Sequence, residues 1–148
     1  MEGASRRRAP VNGFVLDASA TAGWLFDDEK TMAGDALLAS LRESSAMVPA
    51  IWPLEIANLL VSGERRGRIS PERVERQLAT LSTLPIHVDP ETCDRAWDEI
   101  LALARAHRLT VYDAAYLELA LRLGLPLATR DGDLAVAARA AGVEVMAV

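Results

Sequence analysis

The segment "TVYDAAYLELALRLGLPLATRDGDLAVAARAAG", residues 110–142, contains a predicted helix, strand and helix in direct succession. Its first part is rich in alanine and leucine and ends at Gly124, a residue type that often stands just past the end of a helix. The apolar run "LPLAT" then predicts a strand, and "DLAVAARAAG" predicts a helix that ends at a second glycine. This order of elements favours an α/β fold with a parallel sheet.

The same alternation extends through the rest of the chain. The predicted strands are mostly apolar, which is typical of strands that helices cover on both faces. We therefore predict a three-layer α/β/α sandwich with a parallel sheet of about five strands. Besides the elements of residues 110–142, strands are predicted over residues 13–17, 46–49, 84–89 and 143–148, and helices over residues 27–43, 54–67, 70–82 and 90–107.

Length and composition indicate one globular domain. A chain of 148 residues with 51% hydrophobic and 25% charged residues has the size and the polarity of a single folded unit. We predict a flexible tail over residues 1–12, which carries Arg6–Arg8 but no apolar signal segment, and a single domain over residues 13–148. The one cysteine, Cys93, excludes an intramolecular disulfide and a cysteine zinc site. We expect a cytoplasmic protein without a membrane span.

Four acidic residues from distant segments point to one edge of the predicted sheet. Asp17 and Asp131 each follow a strand, and Glu55 lies one short turn beyond another. In parallel α/β sheets, binding sites lie beyond the carboxyl ends of the strands. Asp113 lies in the first turn of the helix that leads into "LPLAT". Because such a helix runs antiparallel to its strand, Asp113 returns to the same edge.

Each of these acids also has a local explanation. Asp17 and Asp131 could be N-caps, because aspartate favours that position. Asp113 could close a capping box with Thr110. Glu55 could belong to a polar, solvent-facing stripe of its helix.

Helical phase separates Asp113 from the polar side of its helix. Glu118 and Arg122 share one predicted solvent-facing side, and Asp113 lies on the opposite side. Four carboxylates remain ionised in one small pocket only beside a strong cation. Ligand sets made only of oxygen atoms suit Mg²⁺ or Mn²⁺, whereas His87 and His107 are predicted to be structural.

Three motifs carry a family resemblance. The segments "FVLDASA" and "PLEIANLL" and the block from "YDAAYLELA" through "PLATRD" resemble those of PIN-domain ribonucleases, and most of all the VapC-type toxins of type II toxin–antitoxin modules. The resemblance runs from about Gly13 to Val148. It implies an endoribonuclease that cleaves RNA phosphodiesters with Mg²⁺ or Mn²⁺ held by four acidic residues. It also implies a cognate antitoxin as partner and a homodimer.

The resemblance assigns roles to individual residues. It implies a catalytic quartet made of Asp17, Glu55, Asp113 and Asp131. Within it, Asp17, Asp113 and Asp131 are the expected metal ligands, and Glu55 is expected to act through a water. The expected supporting residues are Ser19, Thr129 and Asp133.

A net charge of −5 argues against RNA binding through a broad basic face, so we expect contacts to RNA phosphates from a few arginines. The guanidinium group suits phosphate recognition. A solvated helix end explains the segment "ERRGR" equally well. The RNA-binding candidates are Arg65, Arg66 and Arg68 in that segment, and Arg130 beside Asp131.

Two other functions stay open at this point. A phosphatase of the haloacid dehalogenase type also uses acids at strand ends, with Asp17 as its nucleophile. That type has a second aspartate two residues later, where this chain has Ser19, and Lys30 is the only lysine available. Alternatively, the acids form a docking surface for an arginine-rich partner, without catalysis. Metal-dependent RNA cleavage by the isolated protein separates these functions.

Overall fold

The computed structural model describes residues 13–148, so the predicted tail, residues 1–12, lies outside the described part of the chain. Five strands form one sheet in the order β3-β2-β1-β4-β5, and every neighbouring pair is parallel. The predicted α/β fold with a parallel five-stranded sheet is therefore confirmed. The strands are β1 Gly13–Leu16, β2 Ser45–Val48, β3 Ile86–Val88, β4 Leu127–Ala128 and β5 Val145–Met146.

Seven α-helices accompany the sheet in residues 13–148. None of these helices is long and apolar enough to cross a membrane. They are α1 Ala18–Leu25, α2 Met32–Ser40, α3 Trp52–Arg65, α4 Pro71–Ser82, α5 Leu101–His107, α6 Val111–Leu123 and α7 Gly132–Ala140. Short 3₁₀ turns occupy Asp27–Glu29 and Cys93–Arg95, and a π-helical turn occupies Ala96–Ile100.

The central strand β1 is covered on both faces. Phe14, Val15 and Leu16 are consecutive and all buried, and consecutive strand residues point to opposite faces of a sheet. The edge strand β3 differs, because His87 and Val88 are exposed. The interpretation that apolar strands are covered on both faces therefore does not extend to β3, which has a neighbouring strand on one side only.

Local signals at helix ends match the structure. The hydroxyl of Ser70 accepts a hydrogen bond from the backbone N–H of Arg73 at 3.1 Å and begins α4. Thr110 does the same at the start of α6, where it accepts from the backbone N–H of Asp113 at 3.1 Å. Gly124 ends α6 with φ at 67°, in the left-handed region that glycine adopts without strain.

Three predictions about helices are wrong. Helix α1 was not predicted: it begins directly after Asp17, in a segment whose small residues carry no clear helical periodicity. The helix predicted over residues 90–107 is split into a 3₁₀ turn, a π-helical turn and α5. The helix predicted over residues 27–43 is shorter in the structure, because Asp27–Glu29 form a 3₁₀ turn and α2 covers only Met32–Ser40.

The predicted solvent-facing side of α6 is a buried ion-pair network. Glu118 and Asp89 are only 5% and 4% exposed. Arg122 donates to both oxygens of Asp89, at 2.7 and 3.2 Å, and its Nε donates to Glu118 at 3.0 Å. Thr92 donates to Asp89 at 2.9 Å and accepts from the backbone N–H of Ala50 at 3.1 Å. The network thus ties α6 to the loops that follow β3 and precede α3.

We predict that Arg122→Ala lowers the free energy of unfolding by about 3–5 kcal/mol, because it leaves Asp89 buried without its cation and leaves Glu118 only Arg95, at 3.7 Å. Urea unfolding measures this loss. Lys30→Ala is the matched control, because Lys30 pairs with Asp35 at 3.4 Å on the surface. Its loss is expected to stay below about 1 kcal/mol. Equal losses of unfolding free energy in the two variants would contradict the claim that the buried network contributes more to stability than the surface pair.

Candidate active site

Four acids line a single cleft of about 460 Å³. They are the same four that the sequence predicts at one edge of the sheet. Asp17 and Asp131 enter the cleft from the ends of β1 and β4, Glu55 from the first turn of α3, and Asp113 from the first turn of α6. The rest of the lining consists of Ala18, Ser19, Ile51, Leu54, Asn58, Leu59 and Tyr112. Among these residues there is no lysine, arginine or histidine, so the cleft combines acidic and apolar side chains without a basic one.

Asp17 is buried and held by two hydroxyl groups. Ser19 Oγ and Thr129 Oγ1 donate to the same carboxylate oxygen, Oδ2, at 2.6 and 2.7 Å. Asp17 stands at the N-cap position of α1, but its side chain makes no capping hydrogen bond. Burial raises the pKa of Asp17 even though both hydroxyl groups favour the ionised form. The local explanation of Asp17 as an N-cap therefore does not account for its side chain.

Asp131 has both roles that the sequence left open. Its Oδ1 accepts from the backbone N–H of Leu134 at 2.9 Å, so it is the N-cap of α7, and it also lines the cleft. Thr129 Oγ1 accepts from the backbone N–H of Asp131 at 3.0 Å while donating to Asp17. The backbone N–H of Arg130 donates to Ser19 Oγ at 2.8 Å. These bonds fix the loop after β4 against the start of α1.

Glu55 is positioned by a residue that the sequence reasoning missed. The hydroxyl of Tyr116, which is fully buried, donates to Glu55 Oε1. Burial raises the pKa of Glu55, the hydrogen bond from Tyr116 opposes this, and the charges of Asp17 and Asp113 add to the rise. The available signal was spacing, because Tyr116 follows Asp113 by three residues and so lies on the same side of α6.

Asp113 is the acid whose pKa the cleft shifts most clearly. Burial, followed by repulsion from Asp131, Asp17 and Asp133, raises its pKa to about 6. Its backbone N–H bonds to Thr110, but the reciprocal bond of a capping box, from the carboxylate to the backbone of Thr110, is absent from the hydrogen bonds of residues 13–148. The carboxylate therefore lines the cleft, and the side chain of Thr110 at the cap opposes the rise in its pKa.

Comparison with known proteins identifies the family. Residues 14–140 match the PIN domain model. The chain belongs to the PIN-domain family. It is 33% identical over 125 residues to Ribonuclease VapC3 of Pyrobaculum aerophilum, covering 82% of this chain and 91% of that protein. It is 32% identical over 130 residues to Ribonuclease VapC1 of Mycobacterium tuberculosis, covering 83% and 89%. These relatives confirm the resemblance to VapC-type PIN ribonucleases.

A solved structure supports the same assignment of fold. The crystal structure of PAE2754 from Pyrobaculum aerophilum superposes on this PIN domain with a TM-score of 0.67. The match covers 91% of this chain and 89% of that chain, at 25% sequence identity.

Asp133 lies outside the acidic cleft of the PIN domain. It lines a separate depression together with His107, Arg108 and Val136. Its charge nevertheless contributes to the raised pKa of Asp113. The structure therefore brings four of the five predicted acids into the cleft and leaves the fifth beside it.

The four candidate arginines have different surroundings. Arg65 and Arg66 are exposed at the end of α3. Arg68 donates to Asp28 at 2.9 Å and to Glu29 at 2.8 Å, and its guanidinium lies 4.2 Å from the centre of the Phe26 ring.

Arg130 packs between α1 and α2 and does not line the cleft. It lies 3.6 Å from Glu29 and 3.4 Å from the Thr31 hydroxyl. A side chain at Gly23 would place its Cβ only 2.3 Å from Arg130 Nη2, so glycine at this position admits the guanidinium. Arg130 therefore anchors the loop that carries Asp131.

The donor chemistry of the cleft fits Mg²⁺ or Mn²⁺, because the acids offer oxygen atoms alone and repel one another. Within residues 13–148, no three acidic, histidine or cysteine side chains already form a complete metal-ligand set. An ion bound in this cleft would therefore combine carboxylate oxygens with water ligands, as Mg²⁺ usually does in proteins.

We predict that Asp113→Asn stabilises the metal-free protein at about pH 8 by about 1 kcal/mol, after allowance for solvent screening. The raised pKa means that the folded state holds the Asp113 proton more tightly than the unfolded chain does. That stabilisation is complete below the unfolded pKa of 3.8 and is lost as the pH rises through about 6. At about pH 4 the variant should therefore gain little.

Thermal unfolding in EDTA at the two pH values measures this difference. Asp98→Asn is the control, because Asp98 is exposed and does not line the cleft. A gain for Asp113→Asn that is equal at both pH values would show that repulsion in the cleft is not its source.

Proposed function

We propose that this PIN domain is the endoribonuclease toxin of a toxin–antitoxin pair and that it cleaves RNA with Mg²⁺ or Mn²⁺ held by Asp17, Asp113 and Asp131. The observation that carries the proposal is the meeting of four acids, from four distant segments, in one cleft of a PIN domain. The two relatives named above are called ribonucleases and are covered over most of their length.

The chain orients Asp17 with neutral donors only. Ser19 and Thr129 both donate to Oδ2, which leaves Oδ1 without a side-chain hydrogen bond from residues 13–148. We propose that Oδ1 is the oxygen offered to the ion, and that Ser19 and Thr129 are positioning residues. When bound, a divalent ion would activate a water and neutralise charge on the scissile phosphate.

Glu55 has a different proposed role. Tyr116 fixes one oxygen of this carboxylate, and the other is left to hold a water in the cleft. The hydrogen bond from Tyr116 favours the ionised form of Glu55, which is the form that accepts a proton from that water. Asp133 lies outside the cleft, so its proposed influence is only electrostatic: its negative charge acts on Asp113.

RNA contacts outside the cleft are assigned to Arg65 and Arg66. Arg68 and Arg130 are engaged with Glu29 and its neighbours, so we no longer assign them to phosphates. A cognate antitoxin and a homodimer complete the proposal, and the mass of the protein in solution, alone and with its antitoxin, tests both.

We predict that Asp113→Asn or Asp131→Asn lowers RNA cleavage at least about 100-fold, since the loss of a ligand costs no less than the loss of a group that orients one. Mn²⁺ affinity, measured by calorimetry, should fall in parallel while the fold survives. Asp98→Asn, an exposed acid outside the cleft, should keep full activity.

Full activity of both cleft variants would contradict the metal-site assignment. Covalent phosphorylation of Asp17 by a simple phosphomonoester would indicate a phosphatase instead. Complete absence of cleavage by the isolated protein, with tight binding of an arginine-rich peptide, would indicate a docking module.

We predict that the double variant Arg65→Ala, Arg66→Ala weakens RNA binding roughly tenfold and lowers the slope of log affinity against log salt by about 1. Mn²⁺ affinity should not change, because neither residue lines the cleft. The matched control removes Arg42 and Arg139, which are also exposed. Equal losses of RNA affinity in the two double variants would show that only the change in net charge matters, and not a specific contact of Arg65 and Arg66.

A further inference from the structure

Tyr112 is an exposed aromatic residue in the wall of the acidic cleft. It directly precedes Asp113 near the start of α6, and 59% of its surface is accessible. Thr110 caps this helix, so Tyr112 is not needed for that purpose. Its hydroxyl makes no hydrogen bond to any residue of the described range 13–148, in contrast to Tyr116 one turn further on. Neither packing nor hydrogen bonding within the fold explains the aromatic ring at this position.

The facing wall is apolar as well. Helix α3 contributes Leu54, which is 67% exposed, and the cleft lining also includes Ile51 and Leu59. We call Ile51, Leu54, Leu59 and Tyr112 the base slot. The slot and the four acids share one cleft. A ligand that fits the whole cleft therefore combines a charged group with an apolar, flat surface.

A nucleotide has this distribution of polarity. Its phosphate carries charge, and its base has two apolar faces that stack on aromatic side chains without any protein cation. Such a contact suits this cleft, because its lining contains no basic side chain among the described residues.

We propose that Tyr112, with Leu54, holds one unstacked nucleobase next to the scissile phosphate. The inference rests on the proposed function, since it assumes that the phosphate of an RNA chain lies at the four acids. It adds Tyr112 as a substrate-binding residue to the four acids of the proposed metal site. A base inside a duplex is covered on both faces by its neighbours, so the base slot admits only a nucleotide that is out of the stack.

The slot therefore makes the cleavage point depend on local RNA structure. Because every base has an aromatic face, stacking on Tyr112 tolerates different bases at that position. A protein segment is the alternative occupant of the same apolar surface, and the experiments distinguish it.

The first experiment measures cleavage of an RNA segment that the wild-type protein cuts, once as a single strand and once annealed to its complement. Tyr112→Ala should lower kcat/KM on the single strand roughly 10- to 100-fold, the range expected for a lost base stack. Tyr112→Phe should recover most of the activity that Tyr112→Ala loses, because it keeps the ring. Trp97→Ala is the matched control, since Trp97 is 89% exposed but lies outside the cleft.

The second experiment does not require cleavage. It uses the Asp113→Asn variant and a randomised single-stranded RNA of about 12 nucleotides that carries 2-aminopurine at its centre. Stacking on Tyr112 should quench the fluorescence, and adding Tyr112→Ala should abolish the quenching. Equal quenching with and without the Tyr112 ring, or equal cleavage of single strand and duplex, would overturn the inference.

The outcomes separate the two proposals. If the wild-type protein cuts no RNA but ring-dependent quenching occurs, the base slot stands and the proposed nuclease function fails. If cleavage is metal-dependent and unaffected by Tyr112→Ala, the nuclease function stands and the base slot is wrong. Loss of antitoxin binding in Tyr112→Ala, with quenching unchanged, would assign the apolar wall to the protein partner.

Discussion

Mutual repulsion of four carboxylates is the constraint on which the site depends. The chain holds Asp17, Asp131 and Glu55 in place with neutral donors, namely hydroxyl groups and a backbone N–H. Such donors orient a carboxylate without cancelling its charge. The raised pKa values of Asp17, Glu55 and Asp113 reflect first their burial and then the charge they share. A cleft built in this way keeps its negative charge available to a cation from solution.

Outside the cleft, a buried acid of the same protein is paired with a cation. Asp89 is as buried as Asp17, but Arg122 donates to both of its oxygens. Burial by itself would raise the pKa of Asp89, yet the hydrogen bonds from Arg122 and Thr92 hold it below its usual value. Arg130 is adjacent to Asp131 in the sequence, and its guanidinium nevertheless lies beside Glu29. The cations of the protein are thus directed away from the cleft and into the framework around it.

The sequence was sufficient for the parts of the fold that repeat a simple rule. Apolar strands alternating with helices predicted the parallel sheet, and strand ends predicted where Asp17 and Asp131 would meet. It was insufficient where tertiary contacts decide. Glu118 and Arg122 have the spacing of a solvent-facing pair, and only the packing of α6 against the loop at Asp89 makes them interior. Tyr116 looked like any core aromatic residue, because its bond to Glu55 joins segments 61 residues apart.

The acidic character of the protein also explains why an apolar wall belongs in such a cleft. With a net charge of −5, the protein does not attract RNA over long distances. Beyond the contacts proposed for Arg65 and Arg66, affinity is then expected from contacts that act at short range and are little screened by salt. Stacking on an exposed ring and contact with leucine side chains meet both conditions, and neither adds a cation that would compete with a metal ion for the carboxylates. A lysine at position 112 would bind phosphate more strongly but would also partly neutralise Asp113. Under the proposed function, the aromatic residue beside Asp113 would let one cleft keep its charge for an ion while still holding a nucleic acid.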